Sequence, residues 1–451
     1  MQEQGNATAV RGGILSTGRG LWGLLRETRR RGQEQWFAPN RLAQLRRDRF
    51  RRLLLAAAQA PYYREVFEAA GFSPSDLRQD ELPPELPILE KVTLQERGAE
   101  LLTGPISPET VTVTTSGSTG QPLRIHRSPE DQAQVSAAWA RIFRAYGRRT
   151  FDRQVNIGSG RSVARTGPAA LLRKLGLLQV HQLSSFDSME HQLEVLRRVK
   201  PHLLSAYGIA LELVSEAVVA AGIHDIRPRI VYTSGTALSR RGRELAEQAF
   251  AKRPLDVYAA NEVGPIAWEC PAEPGAMHLN DDLQIIEIVD QEGHPAAPGE
   301  VGQVVVTQLL CTTQPLIRYR IGDLARLRPD MCSCGRGLRL MSPVLGRTQH
   351  TIRAPDGRTL NTVVISAIMG GIPGVRRYQV RQTGARDLLV LIIPGKGWSA
   401  MMEDAIHRGF QERLGDAFRY DILLVDDIRL APTGKFQTVI PLPADPVSSQ
   451  H

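Results

Sequence analysis

The sequence predicts an α/β protein with a large N-terminal domain, residues 1–346, and a small C-terminal α+β domain, residues 347–451. Three observations carry this. Between Val111 and Arg336, short β-branched or apolar runs alternate with longer amphipathic ones, as in a sheet rich in parallel strands covered by helices. Ile285–Val289 and Gly302–Gln308 read as strands with turn residues between them, an antiparallel appendage. After Gly346 the pattern changes to a unit with its own sheet, and the boundary falls at about Gly346 to Gln349.

Taken in order, Arg41 to about Ala60 is helical and stops at Pro61-Tyr62-Tyr63, and LPPELP from Leu82 marks a loop. VTVTTS at Val111 is a strand and SPEDQAQVSAAWARIFRAYG from Ser128 a helix. LELVSEAVVAAG from Leu211 is a helix followed by the strand IVYTSG at Ile230. In the small domain, DLLVLIIPG and YDILLVDDI are strands on either side of a helix around Met401 to Leu414.

Composition narrows the function. With 42% hydrophobic and 23% charged residues over 451 positions, the chain can bury a sizeable core. No run of 18 apolar residues exists, and Gly13 to Leu25 is broken by Arg19 without a clean cleavage site, so a cytoplasmic protein without a membrane partner is expected. The net charge of +9 raises the question of nucleic acid. The densest basic run, Arg46 to Arg52, lies on a helix whose Leu42, Leu45, Phe50, Leu53 and Leu54 share one half of the wheel, so a solvated face is the better reading. Aromatic residues, only 6% of the chain, do not interleave with the basic ones, and no nucleic-acid partner is expected. Residues 1–52 hold twelve Arg, no Lys and four acidic residues, so nearly all of the excess precedes every chemical motif.

The strongest local signal is TVTTSGSTGQPLRIH, where Thr115, Ser116, Gly117, Ser118, Thr119 and Gly120 follow a strand. Glycines let backbone N–H groups approach an anion and hydroxyls donate further bonds, the chemistry of a phosphate cradle. No Lys-Ser or Lys-Thr follows, so it is not the GxxxxGK[ST] loop, and Ser116 stands where a GxSxG elbow needs glycine. Further segments follow in order: Tyr258-Ala259-Ala260-Asn261-Glu262, Gly299-Glu300-Val301-Gly302, Tyr319-Arg320-Ile321-Gly322-Asp323, Gly346-Arg347 and Pro432-Thr433-Gly434-Lys435.

These six collinear segments resemble the adenylate-forming superfamily of acyl-CoA synthetases, specifically its phenylacetate-CoA ligase-like branch; PYYREVFEAAGF, Pro61 to Phe72, is similar to the branch's N-terminal helix. The resemblance covers about Arg41 to Pro441 and implies an ATP-dependent ligase. A carboxylic acid, aryl or arylacetic in this branch, would become an acyl-adenylate with release of pyrophosphate and then pass to coenzyme A. It implies that Ser116, Ser118 and Thr119 meet the ATP phosphates and that Glu262 holds Mg²⁺. Asp323 would accept from the ribose hydroxyls, and Arg347 would lie near ribose and phosphates. Ser234, Gly235 and Thr236 with Tyr258 would form the adenine slot beside Asn261, and Lys435 would be the catalytic lysine. The small domain would turn about Arg347 to His350 between the two half-reactions.

Several positions depart from the family pattern. Gln121 replaces a lysine, Ala259 a glycine, Asn261 a Ser or Thr and Ile321 a threonine, while Thr348-Gln349-His350 stands where the hinge usually carries an acidic pair. Two rivals therefore stay open: adenylation with a different acceptor (an amine, a carrier-protein thiol, or a cofactor receiving AMP), and a non-catalytic zinc-stabilised binding protein. A homodimer or a carrier-protein partner is likewise open.

The four cysteines are too few for a disulfide scaffold of this size. Cys270 and His278, with Cys332-Ser333-Cys334 some fifty residues on, supply three thiolates and an imidazole, a tetrahedral Zn²⁺ set with no open position for catalysis. Some members of the branch have Cys and His in similar places and bind structural zinc. Cys311, in an apolar strand, reads as a core thiol.

Overall fold

A computed structural model describes residues 18–74, 86–114, 123–159, 179–348, 351–356, 359–360, 362–369, 372–431 and 433–442. The chain forms two compact units: Met1–Ile321 with Ala325–Pro343, and Gly322–Leu324 with Val344–His451.

The first unit opens with helices α1 (Gly18–Glu34), α2 (Pro39–Ala57), α3 (Pro61–Ala69) and α4 (Lys91–Glu96). Pro39 and Pro61 sit in the first turn of their helices, where proline's missing N–H costs nothing. Helix α2 buries Leu42, Phe50, Leu53 and Leu54 and leaves Arg47, Arg51 and Arg52 exposed, the face the wheel predicts. Arg49 departs from it. It is only 1% exposed, pairs with Glu34 at 2.6 Å and donates to the backbone carbonyl of Asp282. Arg31 pairs with the same Glu34 at 2.7 Å and with Glu27 at 2.9 Å, so each buried charge has a counter-ion.

Strands β1 (Val111–Thr114) and β2 (Arg124–Arg127) pair with each other, antiparallel, as a separate two-stranded sheet. The alternation of runs placed VTVTTS among parallel strands; the stretch from 115 to 123 is too short for a parallel crossover, which takes about a dozen residues or more. Helix α5 (Pro129–Ala145) is capped by Ser128, whose hydroxyl accepts from the Asp131 N–H at 3.1 Å.

Then follow β3 (Gln154–Gly158), β4 (Val180–Ser184), α6 (Met189–Val199), β5 (Leu203–Ala206), α7 (Gly208–Ala220), β6 (Ile230–Ser234), α8 (Arg240–Phe250), β7 (Leu255–Ala260), β8 (Gly264–Glu269) and β9 (Met277–Leu279). After them come β10 (Gln284–Val289), β11 (Gly302–Gln308), β12 (Tyr319–Ala325), β13 (Leu327–Arg328), β14 (Leu340–Met341) and β15 (Gly346–Arg347). Among the described residues, β13-β14-β9-β8-β7-β6-β5-β3-β4 form one mixed sheet. The run from β7 to β4 is parallel, and β7 to β13 is antiparallel. One face packs Val155, Ile157, Leu204 and Val231 against Leu211, Val214 and Phe250 of the helices; the other packs Leu203, Ile230, Tyr232 and Val257 against Ile142 of α5. Each such side chain contributes roughly 1.5–3 kcal/mol. The predicted appendage is the antiparallel pair β10 and β11, Gln284 opposite Gln308, extended by β12. Cys311 is buried but lies in the loop after β11 rather than in a strand, because the ladder stops at Gln308.

Strand β12 runs through both units. Its Asp323 and Leu324 pair with Arg347 and Gly346 of β15, which is why Gly322–Leu324 belongs with the second unit. That unit continues with β16 (Ile352–Arg353), β17 (Thr359–Leu360), α9 (Thr362–Met369), β18 (Val375–Gln382), β19 (Asp387–Pro394), α10 (Ala400–Leu414), β20 (Arg419–Leu424) and β21 (Val439–Ile440). Its sheet, β20-β19-β18-β21, buries Val380, Val390 and Ile392 against Ile365, Ile406 and Phe410, an α+β core of its own. No helix among the described residues is long and apolar enough to cross a membrane.

Candidate functional site

Two neighbouring parallel strands carry the predicted nucleotide residues of the first unit. In β6 and β7, Ser234 lies opposite Val257, so Ser234, Gly235 and Thr236 emerge beside Tyr258, Asn261 and Glu262 at the carboxyl ends of the strands. Ligands of α/β sheets bind at such ends. Gly235 has φ +81°, a conformation that favours glycine. Thr236 accepts the N–H of Gly208 at 2.7 Å, at the start of α7. A Cβ on Gly208 would come within 2.3 Å of the Ala237 carbonyl oxygen, so the close approach of loop and helix requires glycine. Tyr258 is buried and its strand bulges between Tyr258 and Ala259, which re-aims the residues that follow. Asn261 is exposed and Glu262 half-buried in the turn from β7 to β8.

Side chains from three other elements hold this turn by its carbonyls. Arg127 of β2 donates to the carbonyls of Asn261 at 2.7 Å and Glu262 at 2.9 Å. The amides of Gln284 and Gln308 donate to the Val263 carbonyl at 2.9 and 3.0 Å.

Beneath the strand ends, the Thr233 hydroxyl donates to the Asp256 carboxylate at 3.3 Å, and the Asp256 N–H donates to Glu269 at 2.9 Å. Burial, reinforced by the nearby Glu269 charge, pushes the Asp256 carboxyl up to about 6. A carboxyl raised in the folded state binds more protons there than in the unfolded chain, so stability from this group is greatest below its ordinary pKa and falls as pH rises through about 6. Asp256→Asn is therefore expected to be more stable than the parent at pH 7 and to lose that advantage at about pH 4. Urea denaturation of both proteins at the two pH values checks this.

Asp323 and Arg347 face each other across β12 and β15, and Arg347 Nε donates to Asp323 Oδ1 at 2.9 Å. Gly322, at φ +86°, turns its carbonyl to the Thr348 hydroxyl at 3.1 Å. Lys435 lies in the second unit, in a turn closed by the Ala431 N–H on the Lys435 carbonyl at 2.9 Å and the Gly434 N–H on the Ala431 carbonyl at 2.8 Å. Gly434 has φ +74°, a conformation that favours glycine at this position of the segment. Thr115, Ser116, Gly117, Ser118, Thr119 and Gly120, with Gln349 and His350 of the hinge segment, lie outside the described residues.

Cys270, His278, Cys332 and Cys334 come together, all four ligand atoms within 4.8 Å of one another and Cys334 Sγ 3.4 Å from His278 Nε2. This spacing and the soft sulfur and imidazole donors fit a tetrahedral Zn²⁺. His278 sits on β9, antiparallel to β8, whose end leads to Cys270; the Cys332–Cys334 loop joins β13 to β14, which pairs with β9. The Glu273 carboxylate ties the two loops, accepting from the Ser333 N–H and hydroxyl at 3.0 Å each and from Arg328 at 3.1 Å. Burial, with Arg336 nearby, pulls His278 down to about 4, which keeps the imidazole neutral. Burial opposes ionisation of Cys334, but hydrogen bonds from Arg336, whose guanidinium lies 3.2 Å from the sulfur, hold its thiol below the ordinary value.

Residues 352–441 match the family model described as the CapK C-terminal domain. The phenylacetate-coenzyme A ligase of Thermus thermophilus is 27% identical over 358 residues, which cover 77% of this chain and 80% of that protein. The Escherichia coli enzyme of the same name is 27% identical over 305 residues, 66% of this chain and 69% of that protein. Among solved structures, 2-hydroxyisobutyryl-CoA ligase in the postadenylation state with 2-HIB-AMP superposes with a TM-score of 0.70 at 21% identity, covering 88% of each chain. In sequence the chain is similar to phenylacetate-coenzyme A ligases, and in fold to 2-hydroxyisobutyryl-CoA ligase. The sequence motifs did not single out Arg127, Gln284, Gln308 or Glu273. In RIHR, Arg127 occupies an ordinary alternating position of a short strand, and only the tertiary contacts reveal what it grips.

Proposed function

We propose that this protein activates a carboxylic acid, aryl or arylacetic, by adenylation and passes the acyl group to coenzyme A. The observation that carries the reading is the pairing of β6 and β7, which sets the segments resembling the adenine slot and the magnesium carboxylate side by side at their carboxyl ends. In the first half-reaction a carboxylate oxygen bonds to the α-phosphorus of ATP and the bond to pyrophosphate breaks. Two anions meet, so catalysis is chiefly positioning and charge neutralisation. Ser116, Ser118 and Thr119 donate to the phosphates, Ser234 to Thr236 and Tyr258 hold the adenine, and Asp323 binds the ribose with Arg347 beside it. Lys435 stabilises the charge growing on the α-phosphate and carboxylate oxygens. Glu262 binds Mg²⁺, which supplies neutralising charge to the phosphates. In the second half-reaction the C-terminal unit turns about the segment from Arg347 to His350, and the coenzyme A thiolate displaces AMP from the acyl carbon.

The Cys270, His278, Cys332 and Cys334 set holds a structural Zn²⁺ that clips the two loops together. A second reading keeps the adenylate and changes the acceptor to an amine or a carrier-protein thiol. It is favoured by the departures at Thr348-Gln349-His350, at the start of the unit that would select the acceptor.

ATP–pyrophosphate exchange against a panel of aryl and aliphatic acids tests the reading. Exchange with at least one acid is expected, and none with any acid sinks it. Mass analysis after adding coenzyme A separates the acceptors: a thioester supports the first reading, and its absence despite exchange supports the second.

A further inference from the structure

We propose that Arg127 is the positioning residue for the Glu262 carboxylate. This rests on reading Glu262 as the magnesium ligand. The side chain of Arg127 is buried, with the residue only 4% exposed, and the guanidinium donates to the two carbonyls on either side of the Glu262 N–H, those of Asn261 and Glu262. Its remaining side-chain contact is a long one, 3.4 Å, from Nη1 to the Gln132 amide oxygen, and Nε is buried without a partner. Burying a guanidinium is costly, and packing alone would be served better by an apolar side chain. What arginine supplies here is a charged donor, Nη2, that bridges the two consecutive carbonyls and so holds the backbone on both sides of the Glu262 Cα.

The rest of the turn is built to the same end. Gln284 and Gln308 hold the Val263 carbonyl, so three successive carbonyls, 261 to 263, have side-chain donors, while the carboxylate among them is half-buried. Arg127 is itself anchored by the next residues in the chain: the Ser128 N–H donates to the Thr313 hydroxyl at 3.1 Å, and the Asp131 carboxylate accepts the N–H groups of Thr312 and Thr313 at 3.1 and 3.0 Å. Partners that orient a metal ligand typically change metal affinity by about 10- to 100-fold when removed.

The test measures Mn²⁺, as a paramagnetic substitute for Mg²⁺, binding to the full chain in the presence of α,β-methylene-ATP by electron paramagnetic resonance. Arg127→Met is expected to weaken Mn²⁺ about 10-fold, while nucleotide affinity without metal stays unchanged. Arg127→Lys, which keeps a charged donor but lacks the planar guanidinium that sets Nη2 against both carbonyls, is expected to fall between the parent and Arg127→Met. On a Glu262→Gln background, already weakened, neither substitution is expected to cause further loss. Unchanged Mn²⁺ affinity in Arg127→Lys and Arg127→Met, or an equal loss on the Glu262→Gln background, overturns the inference and leaves the role of Glu262 standing. Unchanged Mn²⁺ affinity in Glu262→Gln alone overturns the reading of Glu262, and this inference with it. Should Arg127→Met fail to fold, the Arg127→Lys measurements on both backgrounds decide.

Discussion

Lys435→Ala is expected to lower ATP–pyrophosphate exchange about 10²- to 10³-fold, equivalent to roughly 3–4 kcal/mol of transition-state stabilisation. The lysine is delivered by a turn in which Gly434 takes φ +74° and the 431–435 backbone closes on itself, so the ammonium is presented by a short, well-defined loop rather than by a long flexible one. As a compact point charge it suits the converging oxygens of a carboxylate and an α-phosphate, and Lys435→Arg, with a planar fork in its place, is expected to recover only part of the rate. In the proposed reaction the lysine serves the first half alone. Thioester formation from a synthetic acyl-adenylate and coenzyme A should therefore survive Lys435→Ala nearly intact. Exchange unaffected by the substitution, or both half-reactions lost in parallel, would sink the assigned role.

Cys332→Ser is expected to abolish stoichiometric zinc and to destabilise the first unit by more than about 4 kcal/mol, the range reached when a substitution removes a metal. The four ligand atoms, from β9 and the two loops beside it, lie within 4.8 Å of one another, and Glu273 ties the two loops. Cys270 and Cys332 belong to a small cluster with Ala276 and Leu340, too little apolar surface to hold the loops by burial alone. Without the ion three thiols and an imidazole crowd one another. Elemental analysis of the purified chain, with thermal melting before and after chelation, reads both quantities. A metal-free parent whose melting matches that of Cys332→Ser refutes the zinc site.

Most of the architecture was legible because it depends on local order. The period-2 and period-3.6 runs mark β6, α7, β10, β11, β19 and α10. The strand-end motifs were legible for the same reason: turns that need glycine at Gly235, Gly322 and Gly434 record a backbone conformation directly in the residue type. Partner choice was not legible. The alternation that marks VTVT as a strand is the same for a parallel neighbour and for the hairpin it forms with β2. In the basic run at Arg46 to Arg52, Arg47, Arg51 and Arg52 lie on the solvated face the pattern predicts, yet Arg49 in its midst is buried on Glu34 and Asp282, contacts supplied by residues 15 and 233 positions away.

The sequence by itself therefore determined the fold class, the order of the chemical segments and the metal-type donor set, because each is written in short-range pattern and residue chemistry. Only the tertiary structure decided which of these residues meet. It drew Cys270 and His278 to Cys332 and Cys334, faced Asp323 with Arg347, and seated Arg127 on the carbonyls beside Glu262. A buried polar group must find its partner wherever the packing brings one, and nothing in the spacing along the chain says where that is.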